Sequence, residues 1–208
     1  MPAELPIHAI DVRDTVQDVI DHLAHIPDDG WSKPAAGLEW SCRETIAHVL
    51  DDLGGYAMQV SGERGHGTAY TPLTEPMQPR PDGPSFVFWP EEDGGTTAIC
   101  ECLDAVGGLL VAVVAIAPPD RTAWHPYGDP DPAGFAAMGI VETALHAFDI
   151  LAAHDIDYRL DDAIVGRALD RIFPDLKRSD DPWNDLLAAT GRTPETRGVD
   201  WRWDSSVR

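Results

Sequence analysis

Glu142 and His146 are the residues whose type and spacing could do chemistry in this chain. They sit in GFAAMGIVETALHAFDILAAHDID, residues 134–157, among the apolar residues Phe135, Met138, Val141, Leu145, Phe148 and Ile150. Four residues apart on an α-helix, they differ by about 40° around the axis and about 6 Å along it, so both can donate to one ion. His48 adds a second imidazole on another largely apolar segment, WSCRETIAHVLDDL. Neutral imidazole and carboxylate suit zinc and neighbouring first-row metals, and two His plus one Glu with an open position is the usual plan of a catalytic zinc site. Such a site lowers the pKa of a bound water or holds a thiolate. The spacing also suits a solvated or mutually hydrogen-bonded Glu–His pair. Asp149, three residues after His146, can accept the imidazole's other N–H or pair with an arginine.

The elements that must position these groups read as helices. Residues 9–26 place Ile10, Val12, Val16, Val19, Ile20 and Leu23 on one stripe, with Asp11, Asp14, Asp18 and Asp21 facing away. PDDGWSKPAAGLEW reads as a loop. A second helix starts at Ser41, with Glu44 three residues on as the partner of a capping box, and runs to about Ser61. Residues 62–95 are rich in Gly, Pro and charge, a length that marks a functional or mobile loop. A third helix spans 96–116 and APPD ends it. The irregular RTAWHPYGDPDPAG precedes the fourth helix at 133–154, a shorter helix covers 161–172, and a turn or two follows in the tail. Strand signals are weak, SFVFW being one example. Four long helices with long crossover loops specify an all-α four-helix bundle with a short C-terminal extension. The bundle is expected over residues 1–160, with 161–208 packed on it rather than folding alone.

The charge excludes some partners. Thirty-six acidic residues against 15 basic ones give a formal net of −21, which argues against nucleic acid or an anionic membrane, since phosphates are met by Lys and Arg. The apolar run VGGLLVAVVAIAPP, roughly 13 residues before its prolines, is too short to span a bilayer. The acidic N-terminus does not look like a signal peptide, so a cytoplasmic location is expected. Cys42, Cys100 and Cys102 form no disulfide framework. Cys100 and Cys102 point to different sides of one helix and read as core filler rather than a metal pair.

The sequence resembles the DinB-like superfamily, and within it the mycothiol-dependent maleylpyruvate isomerase group common in actinobacteria. The resemblance runs through WSCRETIAHVLDDL, GFAAMGIVETALHAFDI and the tail segment DPWNDLLAATGR. It implies a DinB-like four-helix bundle binding a divalent metal, usually zinc, through His48, Glu142 and His146. Glu142 stands where many relatives carry a third histidine. The resemblance also implies mycothiol or another low-molecular-weight thiol as cofactor, beside a small electrophilic substrate. The isomerase itself has a further C-terminal domain that contributes to its site, whereas this chain continues for only about 55 residues past the fourth helix. That departure argues against maleylpyruvate as the substrate and leaves a thiol-dependent reaction open.

In that reading the metal deprotonates the thiol near neutral pH and the thiolate attacks an electrophilic carbon. Departure of the thiolate gives cis/trans isomerisation; retention gives S-transfer. Glu142, as a ligand, is not free to act as a base. His125 in WHPYG, just before the fourth helix, is the candidate for proton transfer. Arg192 in ATGR is the candidate to pair with a carboxylate on substrate or thiol, the alternative being a helix-end arginine bonded to carbonyls. His154 lies too far along the helix to ligate the same ion. The tryptophans of DWRW are candidates to close the tail over the bundle. A non-catalytic bundle that binds metal or a small ligand, and a metal-dependent hydrolase using activated water, remain alternatives. Bundles with exposed apolar edges often dimerise, so a homodimer stays open.

Overall fold

In the computed structural model, residues 7–63, 67–197 and 199–207 are described. Among them the helices are α1 (Ala9–Leu23), α2 (Cys42–Ser61), α3 (Gly95–Ile116), α4 (Pro132–Ala152), α5 (Asp162–Ile172) and α6 (Pro182–Ala189). The bundle is all-α, as the apolar periodicity predicts. The SFVFW segment forms no strand among the described residues: Phe86 makes an isolated antiparallel bridge with Met77, because the flanking Pro and Gly residues give the ladder nothing to extend along.

α1 and α2 each pack on both α3 and α4. The start of α3 lies at the end of α1, where Thr96 Oγ1 donates to the Ile26 carbonyl at 2.7 Å. Further along the pair, Gln17 reaches Asp104 at 2.7 Å, so α1 and α3 run antiparallel. α2 and α4 also run antiparallel: Cys42 lies near His154, and Tyr56 packs on Phe135. Gly139 lets α4 approach closely, since a Cβ there would meet Leu110 Cδ2 at 2.7 Å and Leu53 Cδ2 at 3.1 Å.

The α1 stripe is buried at Val12, Val16, Val19 and Leu23 as expected. Two expectations fail at its first turn. Ile10 is exposed, and Asp11, expected to face solvent, is buried. Asp11 accepts the His8 N–H at 2.8 Å and pairs with Arg167 of α5; a neighbouring helix, invisible to the α1 periodicity, covers that turn.

α4 is buried along nearly its whole length, because α1, α2 and α5 all pack on it. By length and composition α3 and α4 are both apolar enough to cross a membrane, so the run-length argument understated α3. α4 owes its composition to its central place in the bundle. α3 buries Ile99, Leu103 and Leu110 and leaves Leu109 and Ile116 exposed.

The crossovers are pinned by polar side chains. Between α1 and α2 the chain makes a 3-10 turn (Asp28–Ser32), whose buried Trp31 donates its indole N–H to Thr96 Oγ1 at 2.8 Å. Asp51 of α2 accepts from the N–H groups of Val87 (3.0 Å) and Phe88 (2.7 Å). Gln59 accepts from Thr71 N–H at 2.8 Å and donates to the Trp124 carbonyl at 2.9 Å. α5 packs on α4, and α6 packs on α5.

The N-terminus of α2 is the capping box read from the sequence: Ser41 Oγ accepts the Glu44 N–H at 3.2 Å, and Glu44 Oε2 accepts the Ser41 N–H at 2.8 Å. Ser41→Ala leaves an unsatisfied donor at the start of a central helix. We expect it to cost about 1 kcal/mol of stability, measured by chemical denaturation. An unchanged denaturation midpoint would show that the cap is dispensable.

Candidate metal centre

α2 and α4 run antiparallel, so His48, seven residues into α2, lies opposite the middle of α4. There it meets Glu142 and His146. His146 Nε2 is 3.1 Å from Glu142 Oε2, and His48 Nε2 is 3.7 Å from the same oxygen. One donor atom from each residue lies within 4.8 Å of the other two. Glu142 and His146 are buried, and His48 is half-buried at the mouth. Trp40 packs edge-on against the His48 ring, 5.2 Å between centroids.

The donor set fits a divalent metal. His146 Nδ1 is engaged by Asp149 Oδ2 at 3.2 Å, which fixes the ring plane and leaves Nε2 as the nitrogen that could ligate an ion. Asp149 is itself gripped by Arg192, Nε to Oδ1 at 2.9 Å and Nη2 to Oδ2 at 2.6 Å. Both readings of Asp149, imidazole acceptor and arginine partner, therefore hold at once. Arg192, expected to face a substrate carboxylate, is committed to this buried pair and holds His146 in place through Asp149.

Sequence reasoning missed Asp52. It lies one turn beyond His48 on α2, with Oδ2 3.2 Å from His48 Nε2. Oδ2 is buried and has no hydrogen-bond partner among the described residues. The signal was available, since His48 and Asp52 have the same four-residue spacing that singled out Glu142 and His146.

Without a metal the centre is a compact cluster of opposite charges. Burial alone would push the His48 imidazole down, but the carboxylates of Asp52, Glu142 and Asp51 outweigh it and lift it to about 9. Burial also works against the His146 cation, and the hydrogen bonds it donates to Asp149 and Glu142 raise it nonetheless. Burial would raise Glu142, yet the two imidazoles hold it well below the usual carboxylate range. Burial lifts Asp52 to about 7, against the pull of His48.

The cluster opens on a cavity of about 300 Å³ walled by Tyr56, Tyr70, His125, Tyr127 and the tail residues Trp201, Arg202 and Trp203, with His48, Asp52 and Glu142 on the other side. His125 thus lies in the same cavity as His48 and Glu142. The Tyr127 backbone N–H donates to its Nδ1 at 3.2 Å, and burial pushes the ring down to about 4 against the pull of Glu142. A neutral ring with Nδ1 occupied carries its proton on Nε2, which suits a hydrogen-bond donor better than the proton acceptor expected from sequence. Tyr56 and Tyr70 were not foreseen. Burial raises both phenols, Tyr70 to about 12, so they too are donors at neutral pH. His154 stands outside the centre, its Nε2 3.9 Å from Cys42 Sγ. Cys42 is buried and its thiol is pushed up to about 11 by that burial. Cys100 and Cys102 are half-buried on α3 and belong to no metal-donor group found among the described residues.

A family model described as mycothiol maleylpyruvate isomerase N-terminal domain matches residues 12–151, the greater part of the chain. No curated protein and no solved structure matches.

The electrostatics give the sign of a pH effect. A metal-free His48 near 9 is protonated at neutral pH, whereas a ligand must be neutral, so metal entry displaces a proton. Zinc binding near neutral pH should release protons, seen by titration calorimetry in buffers of different ionisation enthalpy. Apparent affinity should fall about ten-fold per pH unit for each proton displaced as the pH drops below 9. Binding without proton release would remove His48 from the ligand set. Asp149→Asn frees the His146 ring and strands Arg192; it should weaken zinc binding about 10–100-fold in chelator competition, and unchanged affinity would overturn the positioning role.

Proposed function

The chain belongs to the mycothiol maleylpyruvate isomerase N-terminal domain family, and from that premise we propose that it is a divalent-metal enzyme using a low-molecular-weight thiol of the mycothiol type on a small electrophile. The observation that carries this reading is the meeting of His48, Glu142 and His146 donor atoms beside a cavity that His48 and Glu142 line. When bound there, zinc or a similar ion would supply the charge that keeps a thiol ionised at neutral pH.

The chain's own residues account for the rest. Glu142 and the two imidazoles would hold the ion, and Asp149 with Arg192 fixes the His146 ring through its Nδ1. His125 Nε2–H and the hydroxyls of Tyr56 and Tyr70 are neutral donors around the cavity. They can hydrogen-bond a substrate carbonyl as negative charge builds on its oxygen during thiol addition. Aromatic rings line the walls and limit the water that could compete with the thiol. Addition followed by elimination gives isomerisation, and addition alone gives S-transfer.

A hydrolytic reading has one observation in its favour. The buried Asp52 carboxylate, 3.2 Å from His48 Nε2 and lifted to about 7 by burial, could accept a proton from an attacking water.

Cobalt-substituted protein separates these readings. Adding mycothiol, with glutathione in parallel, should produce a thiolate-to-cobalt charge-transfer band that saturates with thiol. The His48→Ala variant should lose metal, and with it the band. Metal-loaded protein that shows no band with either thiol would overturn the thiol-dependent reading in favour of hydrolysis or simple binding.

A further inference from the structure

The long crossover between α2 and α3 closes a second cavity, of about 290 Å³, against α2. His48, Asp52, Tyr56 and Tyr70 line both this cavity and the one described above. Both therefore reach His48 and Asp52, one beside the tail and the other beside the crossover. Met58, Leu73, Val87 and Phe88 give the second cavity an apolar wall. That wall is fixed to α2. Asp51 accepts the Val87 and Phe88 N–H groups at 3.0 and 2.7 Å, and Gln59 Oε1 accepts the Thr71 N–H at 2.8 Å and its hydroxyl at 3.0 Å.

Two adjacent glycines of α2 differ in what they serve. Gly54 is required by packing: a Cβ there would meet Phe88 Cε2 at 2.4 Å, so the ring seats against bare backbone. Gly55 has no such neighbour. It lines the cavity, and a Cβ added to it would meet no heavy atom of the described residues within 4 Å. Glycine inside a helix is destabilising relative to alanine, and the packing around Gly55 does not ask for one. What the missing side chain supplies is room for a ligand to approach the helix backbone.

The charge of the cavity is one-sided. Its lining carries the carboxylates of Asp51, Asp52 and Glu75 and, among the described residues, no Lys or Arg. A carboxylate on a ligand would meet like charge with no cation to answer it. An uncharged apolar group meets no such penalty and gains by leaving water.

We propose that this second cavity is the subsite for the electrophile, that it takes an apolar, ring-sized group bearing no carboxylate, and that Gly55 keeps it open. The group lies against the α2 backbone at Gly55 and the Phe88 ring, and Asp51 and Glu75 turn anionic analogues away. Calling the ligand an electrophile rests on the thiol-dependent reading; the preference for uncharged ligands does not.

The test uses ligand-observed ¹⁹F NMR on the full chain, with zinc and without. The reporter is 4-fluorocinnamamide, and unlabelled cinnamamide and cinnamate compete with it as a matched neutral and anionic pair. The reporter should bind saturably, and cinnamate should need about ten-fold more than cinnamamide to displace it. The chain's overall charge disfavours any anion, so Glu75→Gln, which removes one exposed acid of 36, is the local probe. It should make cinnamate about three-fold more effective and leave cinnamamide unchanged. Gly55→Leu fills the cavity and should abolish reporter binding with zinc content unchanged. Gly55→Ala should raise the denaturation midpoint, since the fold does not need the glycine. No reporter binding, cinnamate as effective as cinnamamide, native binding in Gly55→Leu, a destabilised Gly55→Ala, or an unchanged cinnamate response in Glu75→Gln would overturn the proposal. Reporter binding in protein that shows no thiol–cobalt band would uphold the cavity and sink the thiol reading. A band without reporter binding would do the reverse.

Discussion

The structure turns on one constraint: a carboxylate placed on the most buried helix of the bundle. Glu142 lies on α4, which other helices cover along nearly its whole length. An isolated carboxylate in such surroundings would be neutralised or expelled. It stays charged because two imidazoles share its oxygen, and that requirement reaches far into the fold. His146 must sit one turn away on the same face. α2 must run antiparallel to α4 at a register that brings His48 opposite. The capping box at Ser41 and Glu44 fixes where α2 starts, and so helps set that register.

The same demand propagates outward through hydrogen bonds. His146 is oriented by Asp149, and Asp149 is held by Arg192 from beyond α6. The backbone of Asp149 also accepts the Ala36 N–H, at 2.9 Å, from the crossover between α1 and α2. Segments far apart in the chain thus converge on one turn of α4. Arg192 is a half-buried cation held by the buried Asp149 anion, and Asp149 would be costly alone. The C-terminal segment is thereby tied to the His48–Glu142–His146 cluster from two sides: Arg192 holds Asp149 against His146, and Trp203 walls the neighbouring cavity.

How much of this could be read from sequence depended on whether the information was local. The long helices, the α2 cap and the Glu142–His146 pair were legible, because periodicity, a capping box and a four-residue spacing are properties of contiguous residues. His48 needed the family resemblance to be set against α4, since nothing local says which helix faces which. Asp11 was misread because its cover, Arg167, lies on α5. Arg192 was read as a ligand contact because its partner, Asp149, is 43 residues away in the chain. Tyr70 had no signal at all: it lies in the long irregular segment, and only the folded crossover brings it to the cavity. Asp52 was legible and overlooked.

Asp51 and Asp52 show how one helix carries both the chemistry and its enclosure. Adjacent residues on a helix point about 100° apart, so two identical side chains in sequence face different surroundings. Asp52 follows His48 by one turn and Tyr56 follows Asp52 by one more, which lays imidazole, carboxylate and ring along the face toward the cavity. Asp51 turns to the neighbouring face and takes the N–H groups of Val87 and Phe88, fastening the long crossover. Gln59, further down α2, holds both Thr71 and the carbonyl of Trp124. Those bonds place Tyr70 and His125, each next in the chain to a pinned residue, against the cavity. The register of α2 therefore sets the donor cluster and the cavity wall together, and shifting that helix by one residue would separate them both from Glu142.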